Sequence, residues 1–317
     1  MKEPSDSWQN EHPAGYPSGS GIDGTCNGSD SVFVHSSTQI TEFSVYMEYF
    51  ESILVALLQG VTEFLPISSS GHIVIVQALL GQDLTQGMTF NIVTHFGTLG
   101  SISIYFYRDL KEMVQSAIQT FKHPFRIADR WEEDETVRFN IYLLLSMIPA
   151  GVAGFTVRDQ LDAAFANPVG VSAMFLFTGF VLFATRFYLD GRRRLTAKNT
   201  FMVGIAQAVA LIPGVSRSGM TISMAVFLGI NREDVVRFSF IMMLPVIAGA
   251  TLVELLGLEA GQLESGYVPH LILGFFVSLV SGYFSLKYLI ILFKSKGIHH
   301  FAWYCWIIGL AGLAYFL

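Results

Sequence analysis

From Tyr46 onward the chain alternates apolar runs with short polar connections, and the runs fall into two length classes. A bilayer's hydrocarbon core takes about 20 helical residues to cross. Six runs approach that length, at 89–107, 139–157, 169–189, 238–258, 270–293 and 301–317. Three others, at 73–80, 201–212 and 220–230, are much shorter. At 1.5 Å per residue these short runs reach roughly 12 to 18 Å, about half the core. They flank two polar breaks, so the pattern predicts six transmembrane helices and two re-entrant helical hairpins, each entering and leaving on one face. Irregular backbone at membrane depth is tolerated only where protein or a water-filled cavity surrounds it, which places both breaks on an internal cavity.

The two breaks echo each other. The first is Gln59-Gly60-Val61-Thr62-Glu63-Phe64-Leu65-Pro66-Ile67-Ser68-Ser69-Ser70-Gly71-His72, and the second is Gln207-Ala208-Val209-Ala210-Leu211-Ile212-Pro213-Gly214-Val215-Ser216-Arg217-Ser218-Gly219. Gln59 and Gly71 are 12 positions apart, as are Gln207 and Gly219; Gly81 and Gly229 follow 10 further on, then Phe90 and Phe238. This is an internal repeat offset by 148 residues. Three spans separate the hairpins, an odd number, so the hairpins enter from opposite faces. The predicted fold is an all-α integral membrane protein with an inverted-topology repeat, its halves at about 46–189 and about 199–317. Such an arrangement puts a binding site near the midplane, where the broken elements meet.

Residues 1–45 are polar, rich in Gly, Ser, Asp and Asn, with no sustained apolar run. Such a segment buries too little surface to offset its chain entropy, so a disordered extension is expected before a membrane domain at 46–317. Translation beginning at Met47 would still give the whole membrane domain. Composition agrees with the span pattern: 52% of residues are hydrophobic, 14% are charged, and mean hydropathy is +0.49. A soluble domain carries about a quarter charged residues. Cys26 and Cys305 are too few and too far apart for a disulfide framework or a thiolate metal site, and read as free thiols. The net charge of −6 matters less than its distribution. The loops at 108–138, 190–199, 231–237 and 294–299 hold fourteen Lys and Arg, whereas the opposite side carries only Lys2 and Arg158. The positive-inside rule makes the basic side cytoplasmic, leaves both ends extracytoplasmic, and opens the first hairpin outward.

Charge at membrane depth is costly, so each ionisable residue there is a functional candidate. Glu63, His72 and Arg217 lie in the breaks. Gln59 and Glu63, four apart, share a helix face. Helices restarting after the breaks would turn free N–H groups and positive dipole ends toward one point, an anion site, and Arg217's planar fork suits phosphate. Glu63 suggests a divalent cation or a proton donor. A Ser near His72 is a minimal nucleophile and base. Asn91 and His95 read as packing residues, Arg192-Arg193-Arg194 as a topology signal, Glu132-Glu133-Asp134-Glu135 as an exposed loop, and the aromatics near Phe301–Trp306 as an interfacial belt.

The first break, followed by Pro213-Gly214-Val215-Ser216-Arg217-Ser218-Gly219 and by Arg237-Phe238-Ser239-Phe240-Ile241-Met242-Met243-Leu244-Pro245, resembles the two motifs and following segment of the undecaprenyl-diphosphate phosphatase, or bacitracin-resistance protein, family. The resemblance spans roughly 47–317. It implies a plasma-membrane phosphatase that converts a polyprenyl diphosphate to polyprenyl phosphate, recycling the carrier for cell-wall or surface glycan precursors. By position it makes Gln59 and Glu63 the acidic-motif pair, Ser69 the nucleophile, His72 the base or acid, and Arg217 the diphosphate clamp. Ser68, Ser70, Ser216, Ser218 and Gly219 would help hold phosphate. Mg²⁺ or Ca²⁺ is the expected cofactor, with Glu63 as the metal ligand; Gln at position 59 leaves Glu63 as the main carboxylate. Expected partners are the lipid substrate and the bilayer, not nucleic acid; a homodimer is left open. The rival expectation is a transporter or flippase of a lipid phosphate, since inverted repeats with broken helices are also a transporter layout.

Overall fold

The computed structural model describes residues 49–80, 88–188, 191–256 and 268–317. The expected disordered extension and Cys26 lie outside the described residues. Among those residues every extended element is a helix; the backbone pairing outside helices is an isolated parallel bridge between Arg193 and Ile230. The chain is thus an all-α, multi-pass membrane protein.

The first break separates α1 (49–64) from α2 (Ser69–Leu80). Then come α3 (Met88–Tyr105), α4 (Tyr107–Lys122), α5 (Ile127–Glu133), α6 (Glu135–Thr156), α7 (Arg158–Phe165) and α8 (Pro168–Ala184). The second break separates α9 (Ala197–Val209) from α10 (Arg217–Phe227), and α11 (Arg232–Leu256), α12 (Val268–Lys296) and α13 (Phe301–Phe316) complete the chain. Four of the six predicted spans coincide with helices long and apolar enough to cross a membrane: Glu135–Thr156, Pro168–Phe187, Arg232–Leu252 and Val268–Lys296. The other two are less clear-cut. α3 is diluted by Asn91, Thr94, His95 and Thr98, and α13 has only 16 residues.

Local sequence explains the boundaries. Asp134 caps α6 by accepting from Thr136 N–H at 2.9 Å, so the acidic cluster read as a loop is in fact the end of α5 and the cap of α6. Asn167 with Pro168 opens α8, and Thr196 with Asn199 forms a reciprocal capping box on α9. α4 is amphipathic: Met113 is buried, while Val114, Ile118 and Phe121 form an exposed apolar stripe, as on a helix lying in a membrane interface.

The two halves interlock through helix contacts. α1 packs on α12, where Ser285 Oγ donates to the Val61 carbonyl at 2.7 Å, and α9 packs on α6. A Cβ on Gly60 would collide with Ser281 Oγ and the Ser278 carbonyl, so only Gly allows this approach. Small residues at such contacts are what helix packing in lipid relies on, because van der Waals fit replaces the hydrophobic drive. α3 also packs on α12, with Ser101 Oγ donating to the Leu279 carbonyl at 2.7 Å, and α8 packs on α13. Phe64, Phe240, Ile102, Met242 and Leu286 fill the core beside the breaks, fully buried. Cys305 is a buried free thiol.

Candidate active site between the two helix breaks

Pro66 contributes no N–H to a helix, and after it the backbone turns sharply at Ser68, whose φ of +68° is left-handed for a residue with a side chain. Ser68 then caps α2. Its Oγ accepts from Gly71 N–H at 3.2 Å, while its carbonyl accepts from His72 N–H at 3.2 Å and His72 Nδ1 at 2.7 Å. The second break repeats the device. Gly214 has φ +90°, and Ser216 Oγ caps α10 by accepting from Gly219 N–H at 3.1 Å. Thr178 of α8 pins this loop, donating to the Gly214 carbonyl at 3.1 Å and accepting from Ser216 N–H at 3.2 Å. The breaks touch. Ser218 Oγ donates to the Leu65 carbonyl at 3.2 Å, and a Cβ on Gly71 would meet the Gly214 Cα.

Glu63, on the last turn of α1, is 5% exposed and lies at the centre of what they enclose. Its Oε2 accepts from Ser69 Oγ at 2.6 Å and from Gln59 Nε2 at 2.9 Å. Arg217 Nη1 stands 3.8 Å from Oε1, and His95 Nε2 stands 4.0 Å from Oε2. Thr62, Glu63, Ser68, Ser69, Ser70, Ser216 and Arg217, with Ala210 and Val215, line a cavity of about 20 Å³. Two polar atoms on the residues that hold Glu63 are buried without a hydrogen-bond partner: Arg217 Nη1, a donor that lines the cavity, and Gln59 Oε1, an acceptor behind it. Buried polar groups are ordinarily satisfied, so both fit a ligand that brings anionic oxygens and a cation.

The structure therefore brings together Gln59, Glu63, Ser68, Ser69, Ser70, Ser216 and Arg217. Ser218 and Gly219 serve as scaffold, one tying the breaks together and the other capped by Ser216. His72 is placed apart from Ser69: Nδ1 is held by the Ser68 carbonyl, and Nε2 lies 2.8 Å from the Tyr304 hydroxyl. A carbonyl only accepts, so Nδ1 carries the proton and Nε2 accepts from Tyr304. The ring folds back onto the cap of its own helix, whereas Ser69, at the first helical position, points across the break to Glu63.

Two residues were misread from sequence. His95 approaches Glu63 rather than only packing, a role its apolar span conceals. Tyr304, assigned to an interfacial belt, is exposed but also stacks on His72 with ring centroids 5.6 Å apart and donates to it. Its partner is 232 residues away, and no local signal points to that contact.

Among the described residues no group of three His, Cys, Asp or Glu side chains could hold a metal ion. The donors present are oxygens: one Glu63 carboxylate, the unpartnered Gln59 Oε1 and Ser69 Oγ. That set suits a hard cation such as Mg²⁺, which is commonly bound through one or two carboxylates plus substrate phosphates.

Comparison with known proteins accords with this geometry. The family described as Bacitracin resistance protein BacA matches residues 52–311. A protein of Salinibacter ruber named undecaprenyl-diphosphatase is 37% identical over 269 residues, covering 84% of this chain and 99% of that protein. Proteins of the same name from Halothermothrix orenii and Methanobrevibacter smithii are 36% and 32% identical, each covering 83% of this chain and 96% of their own length. The matched region contains both helix breaks and every residue of the cavity, and the chain belongs to the bacitracin resistance protein BacA family.

Proposed function

We propose that this protein is an integral membrane phosphatase that hydrolyses a polyprenyl diphosphate of the undecaprenyl type to polyprenyl phosphate and inorganic phosphate, recycling the lipid carrier. The observation that carries this reading is the part-buried Ser69–Glu63 hydrogen bond of 2.6 Å beside Arg217. A hydroxyl bonded to a carboxylate is a nucleophile with its base in place.

In this mechanism the diphosphate enters between the breaks, and Arg217 Nη1 moves from Glu63 to phosphate oxygens. Ser69 Oγ attacks the terminal phosphorus and passes its proton to Glu63 Oε2. The bond to the bridging oxygen breaks, and polyprenyl phosphate leaves with its charge offset by Arg217 and the N-terminus of α10. Glu63 passes that proton to the departing phosphate and is again a carboxylate; it then takes a proton from a water that attacks the phosphorus, the P–Oγ bond breaks, inorganic phosphate leaves, and the proton returns to Ser69 Oγ. Positioning and charge stabilisation supply most of the rate in such reactions. Glu63, Gln59 and Ser69 would hold a divalent cation together with the phosphates, and when bound it neutralises charge developing on them. The cavity has room for about one water, so entry of the headgroup requires the break tips to part.

The finer topology is six spans plus re-entrant hairpins α1–α2 and α9–α10. It is supported by helix length, since α2, α9 and α10 have 12, 13 and 11 residues, and by the helix contacts that interlock the halves. The positive-inside asymmetry orients the site outward in the plasma membrane, with both ends extracytoplasmic. A carrier would need Arg217 but has no use for an activated serine, so the transporter reading is set aside.

The test is phosphate release from a long-chain polyprenyl diphosphate by detergent-purified protein, with and without chelator. Wild type should turn over, and Glu63→Gln should lose about 10²- to 10⁴-fold, the usual worth of a general base. A folded wild-type protein supplied with Mg²⁺ or Ca²⁺ that releases no phosphate would overturn the reading; activity indifferent to chelator would remove the cation from it.

A further inference from the structure

A second cavity among the described residues lies elsewhere. It measures about 120 Å³ and lies where the residues just after α8 and the last residues of α10 and α12 meet the first residues of α11 and the turn at 297–299. α10 joins the two places: Arg217 opens it at the candidate active site, and Val226, beside its other end, lines this pocket. Eleven residues at 1.5 Å each put the pocket roughly 16 Å from the active site. It belongs to the end of the molecule that carries the basic loops.

Its walls are cationic. Arg186, Arg232, Lys296 and His299 come from four different segments, and no Asp or Glu among the described residues lines the cavity. Arg232 has structural work: its Nη1 donates to the carbonyls of Phe293 and Lys294, which closes the C-terminal end of α12. Arg186 is different. Its guanidinium lies over the rings of Phe183 and Phe187 at 4.8 and 5.3 Å and has no carboxylate partner among the described residues, and neither has Lys296. Among the described residues no carboxylate faces Arg186 and Lys296, and like charges that converge on one cavity repel. Burial, then His300 and Arg186, hold His299 below the ordinary imidazole range, which fits that positive field. An aromatic collar of Phe183, Phe187 and Tyr188 sits at the same level, as at a membrane–water interface.

We infer that this pocket is a second anion site, binding a phosphate-monoester group on the face of the membrane opposite the opening of the candidate active site. Arg186 supplies a planar fork of donors and Lys296 a point charge, a combination suited to a phosphate headgroup or to free phosphate. Basic pockets between helices at the cytoplasmic interface bind lipid headgroups by this chemistry. The inference needs the membrane placement but not the hydrolysis, so it stands or falls separately from the proposed activity.

Phosphatidic acid is the probe for the lipid, with retention on detergent-solubilised protein read by native mass spectrometry. Inorganic phosphate is the probe for the free anion, read by calorimetry and as a competitor. Arg186→Gln/Lys296→Gln should weaken phosphatidic acid binding about tenfold or more, the size expected for losing hydrogen bonds to a charged group. Lys122→Gln/Arg126→Gln, elsewhere on the basic end, should leave it within about twofold, since neither residue lines the pocket. Both Arg186 and Lys296 are exposed, so the double variant should fold, and Lys296→Glu alone gives a second reading. Competition by millimolar phosphate would identify the bare anion as sufficient; binding that phosphate cannot displace would assign the site to the lipid. Unchanged binding in Arg186→Gln/Lys296→Gln, or an equal loss in Lys122→Gln/Arg126→Gln, would overturn the site.

Discussion

Ser69 and Glu63 are six residues apart in sequence, yet the turn at Ser68 brings them to 2.6 Å. The left-handed φ of a serine costs energy, and the clamp on its carbonyl is what holds it there: His72 binds that carbonyl, and Tyr304 binds His72. Tyr304 is therefore a positioning residue. Tyr304→Phe removes one neutral hydrogen bond, worth about 1 kcal/mol, and should lower kcat about fivefold with KM little changed. Loss of folded protein in place of a kcat effect would make Tyr304 merely structural. At this scale the sequence was legible where an ionisable residue stands at membrane depth: Glu63 and Arg217 announce themselves by their cost. It was not legible in pairing. Ser69 and His72 share a spacing that suggests a catalytic pair, but an imidazole three residues beyond the helix start reaches the cap carbonyl more readily than a neighbouring hydroxyl. His95 and Tyr304 sit in ordinary apolar helices, and only tertiary packing gives them partners.

Among the elements, the short helices α2, α9 and α10 and the breaks beside them were readable from run length, Pro66, Pro213 and the serines. Cap chemistry was less so, because the acidic run at 132–135 has the composition of a solvated loop and is in fact a helix junction. There, burial alone would raise the Asp134 carboxyl, but hydrogen bonds from Thr136 N–H, Ser116 and Arg130 together hold it below the ordinary carboxylate range. A depressed folded value stabilises the protein above the unfolded value of about 3.9. That stabilisation is lost as pH falls through the lower folded value. Asp134→Asn keeps much of the cap but removes the charge, so the acid limb of a Tm-against-pH curve should flatten relative to wild type. An unchanged acid limb would show that the Arg130–Asp134 pair contributes nothing to folding.

For the whole molecule, the two halves are interlocked: α1 rests on α12 and α9 on α6, so long-range contacts hold the breaks together with the local caps at Ser68 and Ser216. The repeat was visible in spacing alone, through Gln59 and Gln207, Gly71 and Gly219, Phe90 and Phe238. The interlocking was not, because which helix receives α1 depends on small-residue contacts such as Gly60 on Ser281, and no periodicity marks them. The orientation makes its own prediction. On a background lacking both native cysteines, Asp162→Cys should react with an impermeant maleimide in intact cells, and Lys122→Cys only after permeabilisation. The reverse pattern would turn the site to face the cytoplasm.

The central claim is that Ser69 carries the phosphoryl group with Glu63 as its base, and quench-flow with substrate labelled on the terminal phosphate tests it most directly. The account predicts an acid-stable phosphoserine on Ser69 within the first turnover. Ser69→Ala should show none and Glu63→Gln should form it slowly, while His72→Gln still forms it. Turnover without any trapped phosphoserine, together with Ser69→Ala retaining near wild-type activity, would contradict the account.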